Sequence, residues 1–193
     1  MQTQSHFLLT WFLEDRLRDR LSIHMPALLV GSVAPDIPLF VLTAWFFAVP
    51  RRRQGAEELF GSLYDEYFFN DPVWIISHNL LHAPLVLLLL MGLGIGAHRL
   101  GQPLGRALAW FAVACAFHSF VDVFTHRDDG PLLLFPLNWT YRFQTPVSYW
   151  DPQHGGRLFL ALELVMGVLL IGYFTQRWLR SRRPGSKGAD TGT

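Results

Sequence analysis

The sequence predicts an all-α fold, a polytopic membrane bundle of three to four spanning helices with amphipathic helices lying at the interface. Two observations predict it. Of the 193 residues, 51% are hydrophobic and only 16% are charged, against about 25% charged residues in soluble domains. The apolar residues also gather in runs close to the roughly 20 residues that a bilayer crossing needs. A formal net charge of +1 gives no electrostatic reason to expect a nucleic-acid partner. The single Cys115 allows no internal disulfide.

The elements follow in order. The opening "MQTQSHFLLTWFLEDRLRDRL" has no basic n-region and runs from a short apolar patch into alternating charges. It reads as an interfacial helix rather than a cleavable signal. "IPLFVLTAWFFAV" (37–49) is short, lies between Pro38 and Pro50, and reads as a span or a re-entrant segment. Residues 51–72 begin with Arg51, Arg52 and Arg53 and continue as a surface helix, "EELFGSLYDEY". "LLHAPLVLLLLMGLGIGA" (80–97) and "ALAWFAVACAFHSFVDVFT" (107–125) are spanning helices joined by a tight Gly/Pro turn. Residues 126–157 form a long loop whose Trp139, Tyr141, Phe143, Tyr149 and Trp150 suit a membrane interface. "LFLALELVMGVLLIGYF" (158–174) is the last span and runs into "RWLRSRR". Residues 1–183 read as one membrane-embedded domain and 184–193 as a disordered tail. The Lys/Arg bias places the tail in the cytoplasm with Arg99 and Arg106, and Arg51–Arg53 on the other side.

The ionisable residues fall at particular ends of these helices. His78 and His82 start the second apolar run, His118, Asp122 and His126 end the third, and His154 precedes the fourth. Successive spans run antiparallel, so all six can meet at one side of the membrane. Imidazole and carboxylate suit a divalent transition metal, zinc foremost, and i,i+4 spacing aims two ligands from one helix at one point. The set could hold one ion or two. His6 joins if the first helix folds against the same face; His24 and His98 are weaker candidates. Asp36, in "GSVAPDIP", is another candidate for this set, and Asp36 or Glu163, inside the last span, is the candidate catalytic base. Asp128 and Asp129 read as a solvated turn beside Arg127. Pro84 has no N–H and crowds the turn before it, which loosens the geometry of His78 and His82.

These residues point first to a metal-dependent hydrolase acting at the interface on a lipid-like or amphiphilic ester or phosphoester, with membrane lipid as its surroundings and a lipid or small molecule as substrate. Nothing in the sequence fixes the oligomeric state. Other readings are a haem-binding or electron-transfer protein, a metal or proton transporter, and a non-catalytic scaffold with a structural metal.

"SHFLLT", "GSVAPDI", "SHNLLHAPL" and "HSFVDVFT…GPLLLFPLNWTYRF" stand in an order that resembles the YdjM-type bacterial inner-membrane proteins. These are described as LexA-regulated, membrane-bound, metal-dependent hydrolases distantly like zinc-dependent phospholipase C and P1-type nucleases. The resemblance covers residues 5–143 and implies a multi-pass location in the bacterial inner membrane. It implies that His6, Asp36, His78, His82, His118 and Asp122 are the family's polar positions, with Thr125 and Pro136 completing a shared signature. The chain departs from that pattern at Pro38 and Leu39, where Asp-His is common, and at "HNLLH", which lacks an Arg, Gly and Thr. His126 and "SYWDPQHGG" look like subgroup additions that replace the missing ligands.

Overall fold

The computed structural model describes residues 1–48 and 63–182, so the Arg51–Arg53 cluster, most of the surface helix expected after it and the tail lie outside the described residues. The described residues form α1 (Thr3–Leu17), α2 (Met25–Gly31), α3 (Ile37–Ala48), α4 (Tyr64–Asn70), α5 (Pro72–Asn79), α6 (Pro84–Arg99), α7 (Gly105–Thr125) and α8 (Gly156–Ser181), with a short 3-10 turn at Pro152–His154. No strand occurs among them; a lone antiparallel bridge joins Leu132 and Arg142.

The all-α expectation holds, and the spans divide into two kinds. Helices α7 and α8 are each long and apolar enough to cross a membrane. Helices α5 and α6 reach that standard only together, bent by 49° at the break between them. Pro84 sits in the first turn of α6, where a missing N–H costs nothing but a continuous helix from α5 is ruled out. Helix α3 has 12 described residues, about 18 Å of rise against a hydrocarbon core of about 30 Å, so the described part alone is shorter than a crossing.

Helix α7 is the centre, flanked by α6 and α2. Small residues permit the close approach. A Cβ on Gly94 would lie 2.5 Å from the Ala109 nitrogen, and one on Gly31 would lie 2.5 Å from the Phe111 carbonyl oxygen. Buried positions on α7 include Ala112, Cys115, His118, Ser119, Asp122 and Thr125, a helical stripe that turns polar toward its C-terminal end.

Helices α1 and α8 turn the usual soluble pattern inside out. On α1 the buried residues are Ser5, His6, Thr10, Glu14 and Asp15, while α8 buries Glu163 and leaves Leu158, Leu164, Val168 and Leu169 more than 60% exposed. Against hydrocarbon an apolar surface costs nothing, and unpaired polar groups are the ones that must turn inward. A separate aromatic core forms where Phe46, Phe68 and Trp74 pack from α3, α4 and α5. The loop after α7 is pinned to the α5–α6 break by Leu132, whose N–H donates to Asn79 Oδ1 at 2.7 Å and whose side chain packs with Ile75, Ala83 and Phe135.

Candidate metal centre

The helix break orients one candidate ligand. With α5 ending at Asn79, the His82 and Ala83 N–H groups both turn to the Asn79 carbonyl. The His78 carbonyl accepts instead from His82 Nδ1 at 2.6 Å. Ser119, on α7, donates its hydroxyl to the His82 carbonyl. The turn after α2 orients a second candidate in the same way: the Ser32 carbonyl accepts from His118 Nδ1 at 2.7 Å. A carbonyl can only accept, so both neutral rings carry their proton on Nδ1 and leave the Nε2 lone pair free.

Those two Nε2 atoms face two carboxylates. His118 Nε2 lies 3.0 Å from Asp122 Oδ2 and 3.3 Å from Asp36 Oδ1. His82 Nε2 lies 3.6 Å from Asp122 Oδ2 and 3.8 Å from Asp36 Oδ1. One atom from each of the four residues lies within 4.8 Å of the other three. Both histidines are fully buried, yet neither Nε2 makes a hydrogen bond: each sits beside the carboxylates but out of line for one. Buried polar atoms without partners are rare and call for an explanation. Two imidazole nitrogens and two carboxylates, with the imidazoles oriented by backbone carbonyls, form a donor set that could hold a divalent transition metal.

Other expected site residues stand around this group rather than in it. His6 stacks on His118, ring centres 3.7 Å apart, and its Nε2 donates to Asp122 Oδ1 at 3.0 Å. Burial holds the His6 pKa below the ordinary value, more than the neighbouring Asp122 raises it. Asp122 Oδ1 also accepts from the Met1 nitrogen at 2.7 Å. Asp36 accepts the Thr3 hydroxyl on Oδ2, while its Oδ1 faces the two Nε2 atoms. Asp36, expected from sequence to be catalytic, thus lies among the possible ligands. Glu163 accepts the Gln2 N–H on Oε1 at 2.9 Å and keeps a buried Oε2 without a partner.

His126 lies next to the group, with Nε2 3.6 Å from Asp122 Oδ1. His78 is buried with neither ring nitrogen hydrogen-bonded, its ring 4.6 Å from that of His82. His154 is held elsewhere, its Nδ1 2.5 Å from Asp151 Oδ2 in the loop before α8. His24 caps α2 by accepting from the Ala27 N–H. Sequence reading missed Ser32, whose main-chain carbonyl accepts from the His118 ring, and Ser119, whose hydroxyl donates to the His82 carbonyl. It also missed Asp129, which is 3.2 Å from His126 Nδ1 and accepts from Trp150 Nε1 at 2.9 Å. The i,i+3 spacing from His126 was the available signal for Asp129.

The fold and this group define a class: an all-helical membrane protein with a buried His/Asp cluster at the end of its central helix. Within that class, the chain belongs to the YdjM inner membrane protein family, whose model matches residues 1–180. Neither a curated protein nor a solved structure matches it.

Proposed function

We propose that this chain is a metal-dependent hydrolase of the inner membrane, acting on an ester or phosphoester of a lipid-like or amphiphilic substrate. The observation that carries the reading is the pair of buried Nε2 atoms, held in the ligand tautomer and facing Asp36 and Asp122. Two nitrogens and two carboxylate oxygens suit zinc. A bound divalent ion would activate water at neutral pH and polarise the ester oxygen.

The chain's own residues divide the remaining work. His82, His118, Asp36 and Asp122 bind the ion. The Ser32 and His78 carbonyls fix the two rings, and His6 orients Asp122 by donating to Oδ1. Glu163, with one oxygen held by the Gln2 N–H and the other without a partner, is the candidate base.

One feature favours a second reading. Four protein ligands make a closed set, the hallmark of structural sites, whereas catalytic sites keep a position open. A zinc-reconstituted protein assayed against a panel of ester and phosphoester lipids in mixed micelles separates the two. The hydrolase reading expects metal-dependent turnover that falls about 100-fold or more in Asp122→Asn and Glu163→Gln, the latter with its metal retained. Stoichiometric metal without turnover, with unfolding on chelation, would establish the scaffold.

A further inference from the structure

We infer that the cleft beside the metal cluster binds the positively charged ammonium head group of a membrane amphiphile. As a binding site the cleft stands on its own chemistry; as a statement of substrate class it rests on the hydrolase reading above.

The cleft has a volume of about 510 Å³ and His78 and His126 in its wall. Both histidines adjoin the cluster, His78 through the His82 ring and His126 through Asp122 Oδ1. A head group lodged there therefore sits next to the four-residue group. The cleft opens at the end of the bundle where α7 finishes and α8 begins. Trp139, Tyr141 and Trp150, at 40%, 50% and 60% exposure, ring that end as interface anchors do. An amphiphile can keep its chain in the bilayer while its head enters.

Charge selects the head group. Among the described lining residues, Asp65, Asp128, Asp129 and Asp151 face one guanidinium, Arg127, and that guanidinium is paired with Asp128 at 3.3 Å. The Tyr149 phenol, also in the wall, is pushed above its ordinary value chiefly by burial, with Asp129 adding to it. The walls are aromatic from both sides: α4 supplies Phe68 and Phe69 and the loop supplies Tyr149 and Trp150. Ring faces attract cations, and these already do so, with the Arg142 guanidinium carbon 5.3 Å from the Phe69 ring centre and 5.6 Å from that of Phe68.

The independent pointer to a ligand is His78. It is only 6% exposed and neither ring nitrogen has a hydrogen-bond partner. A neutral imidazole needs a donor for its lone pair, and an ammonium N–H supplies one. An anionic head group meets carboxylates on the rim, and the guanidiniums near it are engaged, Arg127 with Asp128 and Arg142 with the Phe68 and Phe69 rings and the Gly130 carbonyl.

The test is calorimetric titration of the full chain, in a non-ionic detergent and loaded with zinc, using hexylammonium, hexanol, hexyl sulfate and methylammonium. Hexylammonium should bind saturably and about tenfold or more tighter than hexanol or hexyl sulfate, and more weakly as salt is raised. The Asp65→Asn/Asp129→Asn double variant should lose about tenfold in hexylammonium affinity with hexanol unchanged, and Phe69→Leu should lose severalfold. Hexyl sulfate binding as tightly as hexylammonium would overturn the proposal, as would a double variant that binds like wild type with unaltered circular dichroism. Methylammonium binding as tightly as hexylammonium would show a soluble amine site and refute the membrane source. Asp122→Asn, which should lose the metal, is expected to retain hexylammonium binding. The cleft proposal therefore fails or stands separately from the metal reading.

Discussion

Helix α1 runs between two buried polar clusters that look alike in sequence and differ in chemistry. Near its C-terminal end, Glu14 and Asp15 are buried carboxylates and both are satisfied. Arg18 reaches Glu14 at 2.9 Å and Asp15 at 2.5 Å, while Tyr173 donates to Asp15 at 2.6 Å and Arg177 joins it. Near its N-terminal end, His6 leans on Asp122 beside His82 and His118, whose Nε2 atoms have no hydrogen-bond partner. The first cluster ties α1 to α8 and has nothing left to bind. The second is assembled by carbonyls and hydroxyls from three other elements, and those contacts leave its reactive atoms bare. Burial of charge alone does not mark a functional site here. Incomplete satisfaction does.

Substitutions sharpen that contrast in order of size. Asp122→Asn removes a carboxylate that faces His82, His118 and His6, and should weaken metal binding by about 100-fold or more, read by competition with a chromophoric chelator. Ser119→Ala releases the His82 carbonyl and should cost about tenfold in the same assay. Asp15→Asn strikes the other cluster: it should lower stability by about 2 kcal/mol in denaturant melts, with metal affinity unchanged. If Asp15→Asn also lost metal, the two clusters would be one unit and the contrast would collapse. His154→Ala should be the mildest, within about 0.5 kcal/mol of wild type and with full metal content, because His154 is held by Asp151 in a separate loop.

Much of this was legible in the residues. The length and hydropathy of α7 and α8 follow directly from their apolar runs, and the four-residue spacing of His118 and Asp122 places both on the buried stripe of α7. Antiparallel succession was enough to bring His82 to the same end. The remainder depended on tertiary contacts that no local pattern encodes. Pro84 announced a break, but only the folded chain shows that the break frees the His78 carbonyl to orient His82. Asp36 stood out as a lone carboxylate in a Gly/Pro turn, which gave no means of telling a base from a ligand. His154 satisfied the same topological argument as His82 and yet lies outside the group, because it ends the 3-10 turn Pro152–His154, where Asp151 three residues back takes its Nδ1. The inward polar stripe of α1 is visible at positions 6, 10 and 14 once the surroundings are taken to be lipid, where the polar face is the one that hides.

Metal binding by Asp36, His82, His118 and Asp122 is the centre of the hydrolase reading. Elemental analysis of the detergent-purified full chain, alongside a His118→Ala/Asp122→Ala variant, tests it most directly. The account predicts a transition metal in stoichiometric amount in the wild type, retained through dialysis, and its absence from the variant. A wild type that carries none, even after incubation with zinc, manganese or iron(II), would contradict it.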